Sequence, residues 1–507
     1  MYIQILYIFL GLVAVFMYFG GKKNRQLKGK VIEGPKGLPF LGNILEINDR
    51  NMLYKFMDYA LRFGRIFRVN MLIHDVVVLN NEELIRKAFG GEKHKMSFND
   101  RMEMFYAQKF RNPDMSVPFI RNGASRHYKV TRKMFTQALH AYGSGLKELE
   151  KNVMKEMESL IQRVNNTPGK EFECVALFQR SLSNVISLLL TGDTVPNSDQ
   201  DYQLFWEYIN SSDIFLNPRT NFTMITFPFL RFLPGWYRDK FQEAKRALEK
   251  IVQKYFYDCK KTYVPGEVRG IVDYYLEEQR KETELGNEFP DDMIIAAVVD
   301  TIHAGTTTTL SALSNTMLVL LNNPQYQAKL QQELDNVIGC ERAPTYSDRE
   351  KCTFFKAFEM EILRYIPVLP LLLPHLCRSH VALEGYDIEE GTVVFGNVWF
   401  VHHNEEIWGD PWTFRPERFL DEHGNLLPVE HKLRRNLLAF GYGLRHCPGE
   451  VFARTRYFLY ISSLLQRWSF EFPEGKGRPC DPRLSENFAI KEIMRALPFR
   501  CRARERR

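Results

Sequence analysis

Residues 440–450 read Phe440-Gly441-Tyr442-Gly443-Leu444-Arg445-His446-Cys447-Pro448-Gly449-Glu450. Three glycines within nine positions let the backbone curl closely around one side chain, and the Pro448-Gly449 step leads into an apolar helix predicted from about Glu450 to Trp468. Cys447 therefore stands just before a helix N-terminus, where the dipole and the free N–H groups favour a thiolate. With a cation two residues away at Arg445, such a thiolate suits the axial ligand of a haem iron, and thiolate ligation favours O–O cleavage. A lone cysteine beside a glycine turn also fits inert burial, and the loop by itself leaves both readings open.

Around that loop lies a chain of 507 residues, 45% hydrophobic, 13% aromatic and 25% charged. These values exclude a disordered chain, a collagen-like repeat and a disulfide-stapled miniprotein. Length alone suggests about three domains. The net charge of +7 is concentrated at the ends: Lys22, Lys23, Arg25, Lys28 and Lys30 give +5 without an acid, and residues 500–507 give +4, which leaves −2 for the rest. No nucleic-acid partner is expected from such a distribution. The eight cysteines form no C-x-x-C pair, so neither a zinc ribbon nor a disulfide framework is supported, and a reducing compartment fits.

Residues 1–21 carry no charged side chain, and as a helix they would reach about 30 Å, the hydrocarbon thickness of a bilayer. A cleaved signal peptide is the alternative, but there is no basic segment before the apolar run and no A-x-A site. The reading is a transmembrane signal-anchor over 1–21, with the basic flank after it placing the bulk of the chain in the cytosol. Residues 22–50 form that flank and a Pro/Gly hinge, Gly34-Pro35-Lys36-Gly37-Leu38-Pro39. From 51 to 500 the pattern is mainly helical, with short β-like stretches near 67–79 and 381–396, and residues 501–507 read as a basic tail. One large, mostly α body with small β-sheets is expected in place of three domains.

Asp291 to Asn322 is a proline-free stretch of 32 residues between Pro290 and Pro324, about 48 Å as a helix. In its middle, Ala304-Gly305-Thr306-Thr307-Thr308-Thr309 collects poor helix formers, at roughly 0.5–1 kcal/mol each relative to alanine. Such a patch signals a functional constraint or a polar seam in helix packing. Asp300 lies on the Ala304/Thr308 stripe, but about 12 Å back along the axis, so it could assist a reaction there only through water. Farther on, Glu361 and Arg364 at i, i+3 share a helix face, and Phe414-Arg415-Pro416-Glu417-Arg418-Phe419 follows.

Taken together these stretches resemble the cytochrome P-450 superfamily. Phe440, Gly443, Arg445, Cys447 and Gly449 fill every fixed position of its Phe-x-x-Gly-x-Arg-x-Cys-x-Gly signature, a match expected by chance on the order of 1 in 10⁵. Glu361 and Arg364 match its Glu-x-x-Arg motif, and Arg418 matches the arginine that completes a Glu–Arg–Arg network bracing the haem loop. Ala304, Gly305, Thr308 and Thr309 match its oxygen-activation motif, while Thr307 stands where the family has an acid. In the family that acid and the following threonine relay protons. Thr308 retains a hydroxyl donor, whereas Thr307 has no group that titrates near neutral pH.

The resemblance implies the cytochrome P-450 fold behind an N-terminal transmembrane helix, with haem b held axially by Cys447. It implies propionate contacts from Arg132 and Arg445, with His375 and Arg101 as further candidates; Tyr128 replaces the usual tryptophan four residues before Arg132. Thr308, Thr307 and Asp300 are the candidate catalytic residues, and Ala304, Leu369 and Leu373 the candidate pocket. The implied activity is a membrane-anchored monooxygenase of the endoplasmic reticulum, using O₂ and NADPH electrons from an NADPH-cytochrome reductase, with cytochrome b5 as a second candidate donor. Reductase docking would use a basic face of Lys129, Lys133, Lys432, Arg434 and Arg435. Similarity of 98–140 and 393–420 to animal steroid-17-hydroxylase-like and xenobiotic-oxidising members points to steroids or planar lipophiles. Two rival functions share the fold: a lipid-peroxide isomerase or dehydratase, and a non-catalytic haem-binding sensor.

Overall fold

The computed structural model describes residues 29–506 except 49, 143–145, 193–198 and 491–492. The expected membrane helix over 1–21 lies outside the described residues, as do Lys22, Lys23, Arg25 and Lys28.

The chain opens with helix α1 (Met52–Phe63) and a hairpin of β1 (Ile66–Met71) and β2 (His74–Leu79), followed by α2 (Glu82–Gly90) and β3 (Asp100–Arg101). Next come α3 (Phe105–Phe110), α4 (Arg126–Tyr142), α5 (Leu146–Asn165), β4 (Glu171–Glu173), α6 (Cys174–Thr191) and α7 (Asp199–Leu216). The long α8 (Asp291–Asn322) leads to α9 (Pro324–Val337) and α10 (Thr353–Tyr365). Strands β5 (His375–Leu376), β6 (Val381–Leu383), β7 (Tyr386–Ile388) and β8 (Val393–Gly396) precede the Cys447 loop and α11 (Glu450–Arg467). Strands β9 (Trp468–Glu471), β10 (Phe488–Ile490), β11 (Met494–Ala496) and β12 (Arg500–Glu505) close the chain.

Helix α8 spans the predicted stretch to the residue, because Pro290 caps its start with extended backbone and Asp291 and Asp292 complement the dipole of its first turn. It is buried on nearly every side and packs on α6, α11 and β11, as an all-round apolar helix must. Both α6 and α8 have the length and hydropathy of membrane spans, but they are mostly buried and form the core. Helix α6 begins where the Glu173 carboxylate accepts the Val175 and Ala176 amides, and it ends at Gly192 with φ 75°. Helix α10 is capped from outside itself: Glu333 on α9 accepts the Phe354 and Phe355 amides at 2.7 and 2.8 Å.

The largest sheet has the order β1-β2-β8-β5-β3. Its β3–β5 pairing sets Arg101 directly opposite His375, so two residues 274 positions apart in sequence meet through strands too short to be visible in a hydropathy pattern.

Two expected boundaries move. The body begins before residue 51: Lys30 bridges Tyr386, and Ile32, Asn43, Ile44 and Ile47 are buried. The segment 501–507 is not a free tail through its described part, because β12 is the central strand of the sheet β4-β12-β9. Cys501 and Ala503 point into the core, which leaves the alternate arginines outside among acids. Arg502 pairs with Glu171, Arg504 reaches Glu471 at 2.7 Å, and Arg506 pairs with Asp335. The basic run is thus largely a central strand whose outward arginines meet acids.

Candidate active site

The Cys447 loop is shaped by what it packs against. Gly443 has φ 78°, and a Cβ there would stand 1.9 Å from the Phe89 carbonyl oxygen, so only glycine lets the loop approach α2. Gly90 answers from α2, leaving space for the ring of Tyr442, over which Arg86 lies at 4.2 Å. The Cys447 amide donates to the Phe440 carbonyl at 2.9 Å. That closes the loop and leaves the thiol facing a cavity of about 260 Å³.

Burial holds the Cys447 thiol above its ordinary pKa, and Glu450 adds to the rise, against lowering by the Gly449 amide, Arg132 and Arg454. The Gly449 amide at the start of α11 acts in the expected direction, with burial of the sulfur acting against it. The thiolate form would come with the metal, whose binding displaces the proton.

One wall of the cavity gathers Arg101, Arg132, His375 and Arg445. The three guanidinium groups reach backbone carbonyls. Arg101 donates to Leu373 O at 2.8 Å, Arg132 to His446 O at 2.6 Å, and Arg445 to Asn99 O and Ile120 O at 2.9 and 2.6 Å. Among the described residues none of the three has a carboxylate partner within 4.0 Å. Burial with the neighbouring Arg445 pulls Arg101 down to about 9. His375 stacks on Phe89 at 3.8 Å and contacts the Phe98 carbonyl at 2.5 Å through Nδ1, and burial together with Arg101 puts its pKa well below the ordinary value. Three cations, Arg101 buried and Arg132 and Arg445 half-buried, with an imidazole and no counter-anion among the described residues, make an anion receptor. Tyr128 stands beside them, its ring 3.8 Å from the Arg445 guanidinium and its hydroxyl donating to Leu444 O at 3.1 Å, so it ties α4 to the loop.

The opposite wall is α8. Ala304 and Thr308 face the cavity with Leu369 and Leu373, and the Thr308 hydroxyl donates to the Ala304 carbonyl at 2.8 Å. Thr307 does not face this cavity. It is buried on the adjoining helix face, donates to the His303 carbonyl at 2.8 Å, and lines a separate, smaller cavity. Asp300 borders the main cavity, but its carboxylate is engaged by an ion pair with Arg111, by Ser116 Oγ at 2.8 and 3.0 Å and by the Val117 amide at 3.1 Å. A carboxylate held by that many donors is a fixed anion tying α3 to α8, which corrects the expected water-mediated catalytic role.

Behind the loop, Glu361 accepts Arg364 Nε and Nη2 each at 2.8 Å, Arg418 Nε at 3.0 Å and the Arg415 amide at 2.9 Å. Glu361 and Arg364 are 0% exposed, which makes this a bidentate pair in a dry environment. Sequence reasoning missed a second network. Glu359, on the turn before Glu361, accepts Arg349 at 2.7 Å and also pairs with Arg454 of α11. Its signal would have been a second acid beside the Glu-x-x-Arg pair. Arg456 was also missed. It is buried on the cavity wall, donates to Thr309 Oγ1 at 2.7 Å, and burial lowers it to about 9.

A profile of the family described as cytochrome P450 matches residues 32–495. The chain belongs to the cytochrome P450 family. Among curated relatives it is 32% identical to "Cytochrome P450 1A1" of Cavia porcellus over 87% of this chain and 86% of that one. It is 31% identical to "Cytochrome P450 1A1" of Sparus aurata (94% and 92%) and 30% identical to "Steroid 17-alpha-hydroxylase/17,20 lyase" of Squalus acanthias (90% and 90%). The chain is accordingly a P450 monooxygenase, a haem-thiolate enzyme that takes a lipophilic substrate, O₂ and NADPH-derived electrons through a redox partner. The cavity fits a P450 haem: a cysteine opens into it, a cation cluster suits two carboxylates, and its other walls are mainly apolar.

Proposed function

We propose that this P450 oxidises a steroid or similarly planar lipophile at the endoplasmic reticulum membrane, with Cys447 as the residue that would hold the haem iron. The observation that carries the reading is the single cavity in which Cys447, the anion-receiving cluster and the Ala304/Thr308 face of α8 meet. When bound, the haem supplies the oxygen-activating chemistry. Cys447 would hold it from the loop, and Arg101, Arg132, Arg445 and His375 would receive its propionates. A neutral His375 whose Nδ1–H is given to Phe98 O has only an acceptor left at Nε2, so it would donate only once the propionate charge keeps it protonated. Ala304, Leu369 and Leu373 would shape the substrate space and exclude water. Thr308 Oγ faces the cavity with its lone pairs while its O–H is given to the Ala304 carbonyl; it would pass a proton by turning that O–H into the cavity as it accepts another from water. Thr308→Ala is expected to cut product per NADPH about 10–100-fold while NADPH oxidation continues into hydrogen peroxide; unchanged coupling would remove Thr308 from the mechanism.

For the electron donor, an NADPH-cytochrome reductase with cytochrome b5 as an alternative, the supporting feature is the rim around Cys447. Of the five expected cations Lys129, Lys133, Lys432 and Arg435 are exposed, Arg435 also meeting Glu82 at 3.4 Å, whereas Arg434 is half-buried and given to Leu427 O at 2.9 Å; Val130, Leu444 and Val451 are exposed as well. Charge-led docking of this kind weakens with salt, so reduction by the reductase should slow several-fold between low and physiological ionic strength, and further in Lys129→Glu. For the anchor, removing residues 1–28 should release a haem-loaded protein from membranes, with a sedimentation assay as the check; total loss of haem would contradict a separable anchor. A steroid and lipid-extract screen with reductase tests the substrate. Turnover of lipid hydroperoxides without any reductant would instead favour the isomerase reading, and spectral binding without turnover the sensor.

A further inference from the structure

Each monooxygenase turnover consumes two protons with two electrons, as one oxygen atom enters substrate and the other leaves as water. In this chain Thr307 has no proton to cycle near neutral pH, and Asp300 is locked to Arg111. The second face of α8 offers a different source. His303 and Thr307, one turn apart, lie on that face, and His303 Nε2 meets Asp213 Oδ1 of α7 at 2.8 Å. The Asp213 side chain is 25% exposed and that of His303 8%, so the carboxylate stands at the boundary between solvent and core. Asp213 and Thr307 also share a cavity of about 60 Å³. Among the described residues Asn210, Leu216, Ala489, Ile493 and Arg495 complete its lining. Since a water needs only about 10–15 Å³ of such space and two to four polar partners, this cavity can hold several.

We propose that Asp213 is the proton-relay carboxylate of this enzyme, supplied from α7 through water in the Thr307 cavity. This rests on the monooxygenase reading of the site. The Asp213 carboxyl gives a proton to cavity water and that water gives one to Thr307 Oγ1; the Thr307 O–H, turned from the His303 carbonyl, passes its own proton on toward Thr308, and Asp213 regains one from bulk water, leaving no net change on any of these groups. His303 fixes the carboxylate on one side, and Arg495, which feels the Asp213 charge, faces it on the other. The Thr307 hydroxyl already donates to the His303 carbonyl, so its lone pairs remain to accept from water. From Thr307 to Thr308 is a step of about 100° around the helix, and the residue between those two directions is Ala304, with only a methyl group. Asp213 is a positioning and relay residue, acting through water and Thr307.

Two measurements test it. A crystal structure of the haem-loaded enzyme should show ordered water bridging Asp213 and Thr307; a dry cavity overturns the proposal whatever the activity. In parallel, progesterone conversion is driven either by NADPH, O₂ and reductase, or by cumene hydroperoxide, which needs no delivered protons from this route. Asp213→Asn, which keeps a hydrogen-bonding partner for His303, should lose about tenfold in product per NADPH, with more hydrogen peroxide and a larger solvent isotope effect, while the hydroperoxide-driven rate falls far less. Asp213→Glu should recover most of the loss. Equal losses under both oxidants would make Asp213 structural and overturn the relay, as would equal retention. Wild-type protein converting progesterone with neither oxidant would count against the steroid reading, and the water in the cavity would still decide the role of Asp213.

Discussion

Cys447→Ala is expected to abolish both the thiolate-type Soret band of the reduced, carbon monoxide-treated protein and all NADPH-driven product, leaving a folded chain. Among the described residues Cys447 is the one cysteine on the cavity wall: Cys174, Cys352, Cys377 and Cys501 are buried elsewhere, and Cys259, Cys340 and Cys480 line none of its surface. No second sulfur can therefore take over the iron. The fold should survive because the loop is held mainly by its backbone, through the Cys447 amide to Phe440 and the Gly443 approach to Phe89, and alanine keeps both. The two halves of the result separate ligation from folding. Cys447→His should keep haem but not the thiolate spectrum. An unaltered spectrum in the alanine variant would refute the ligand assignment outright.

The opening stretch and α8 were legible in the sequence because each is specified locally. A glycine-rich loop ending in Pro-Gly and a proline-bounded apolar run leave few other conformations. The Glu361–Arg364 pair was legible for the same reason, since i, i+3 spacing on one helix is a local fact. What was hidden depends on long-range contact. Asp300 has the right position for a water-linked acid, and only the arrival of Arg111 and Ser116 from elsewhere in the chain removes it from that role. The direction of Thr307 follows from helix geometry, but the acid it faces comes from α7, 94 positions earlier. The C-terminal arginines read as a basic tail because alternating charge over six residues has no apolar signature; backbone pairing with β4 and β9 makes them a strand, and Glu171 and Glu471 meet Arg502 and Arg504. At Cys447 the local part, the amide at the helix start, was legible, while the burial that opposes it comes from the packing around the loop.

Glu361→Ala should be the most destabilising single substitution of the haem-loop scaffold. Removing one member of a buried pair costs about 3–5 kcal/mol because the other charge stays desolvated and unpaired. Here one carboxylate serves two guanidinium groups and the Arg415 amide, so its loss strands Arg364 and Arg418 together. Their remaining bonds run to the carbonyls of His402, Pro411, Trp408, Asp410 and Thr413, which orient the cations without neutralising them. Against a total stability of about 5–15 kcal/mol, that loss should show as a sharply lower thermal midpoint and a fall in haem retained per protein. Glu417→Ala is the matched control. It breaks the Lys329–Glu417 pair at 2.8 Å, whose side chains are 46% and 39% exposed, and exposed pairs contribute about 0–1 kcal/mol. If Glu361→Ala and Glu417→Ala prove equally mild, the buried network does not brace the loop; the expected ordering instead places the mechanical support of the haem cavity in one carboxylate that never touches the haem.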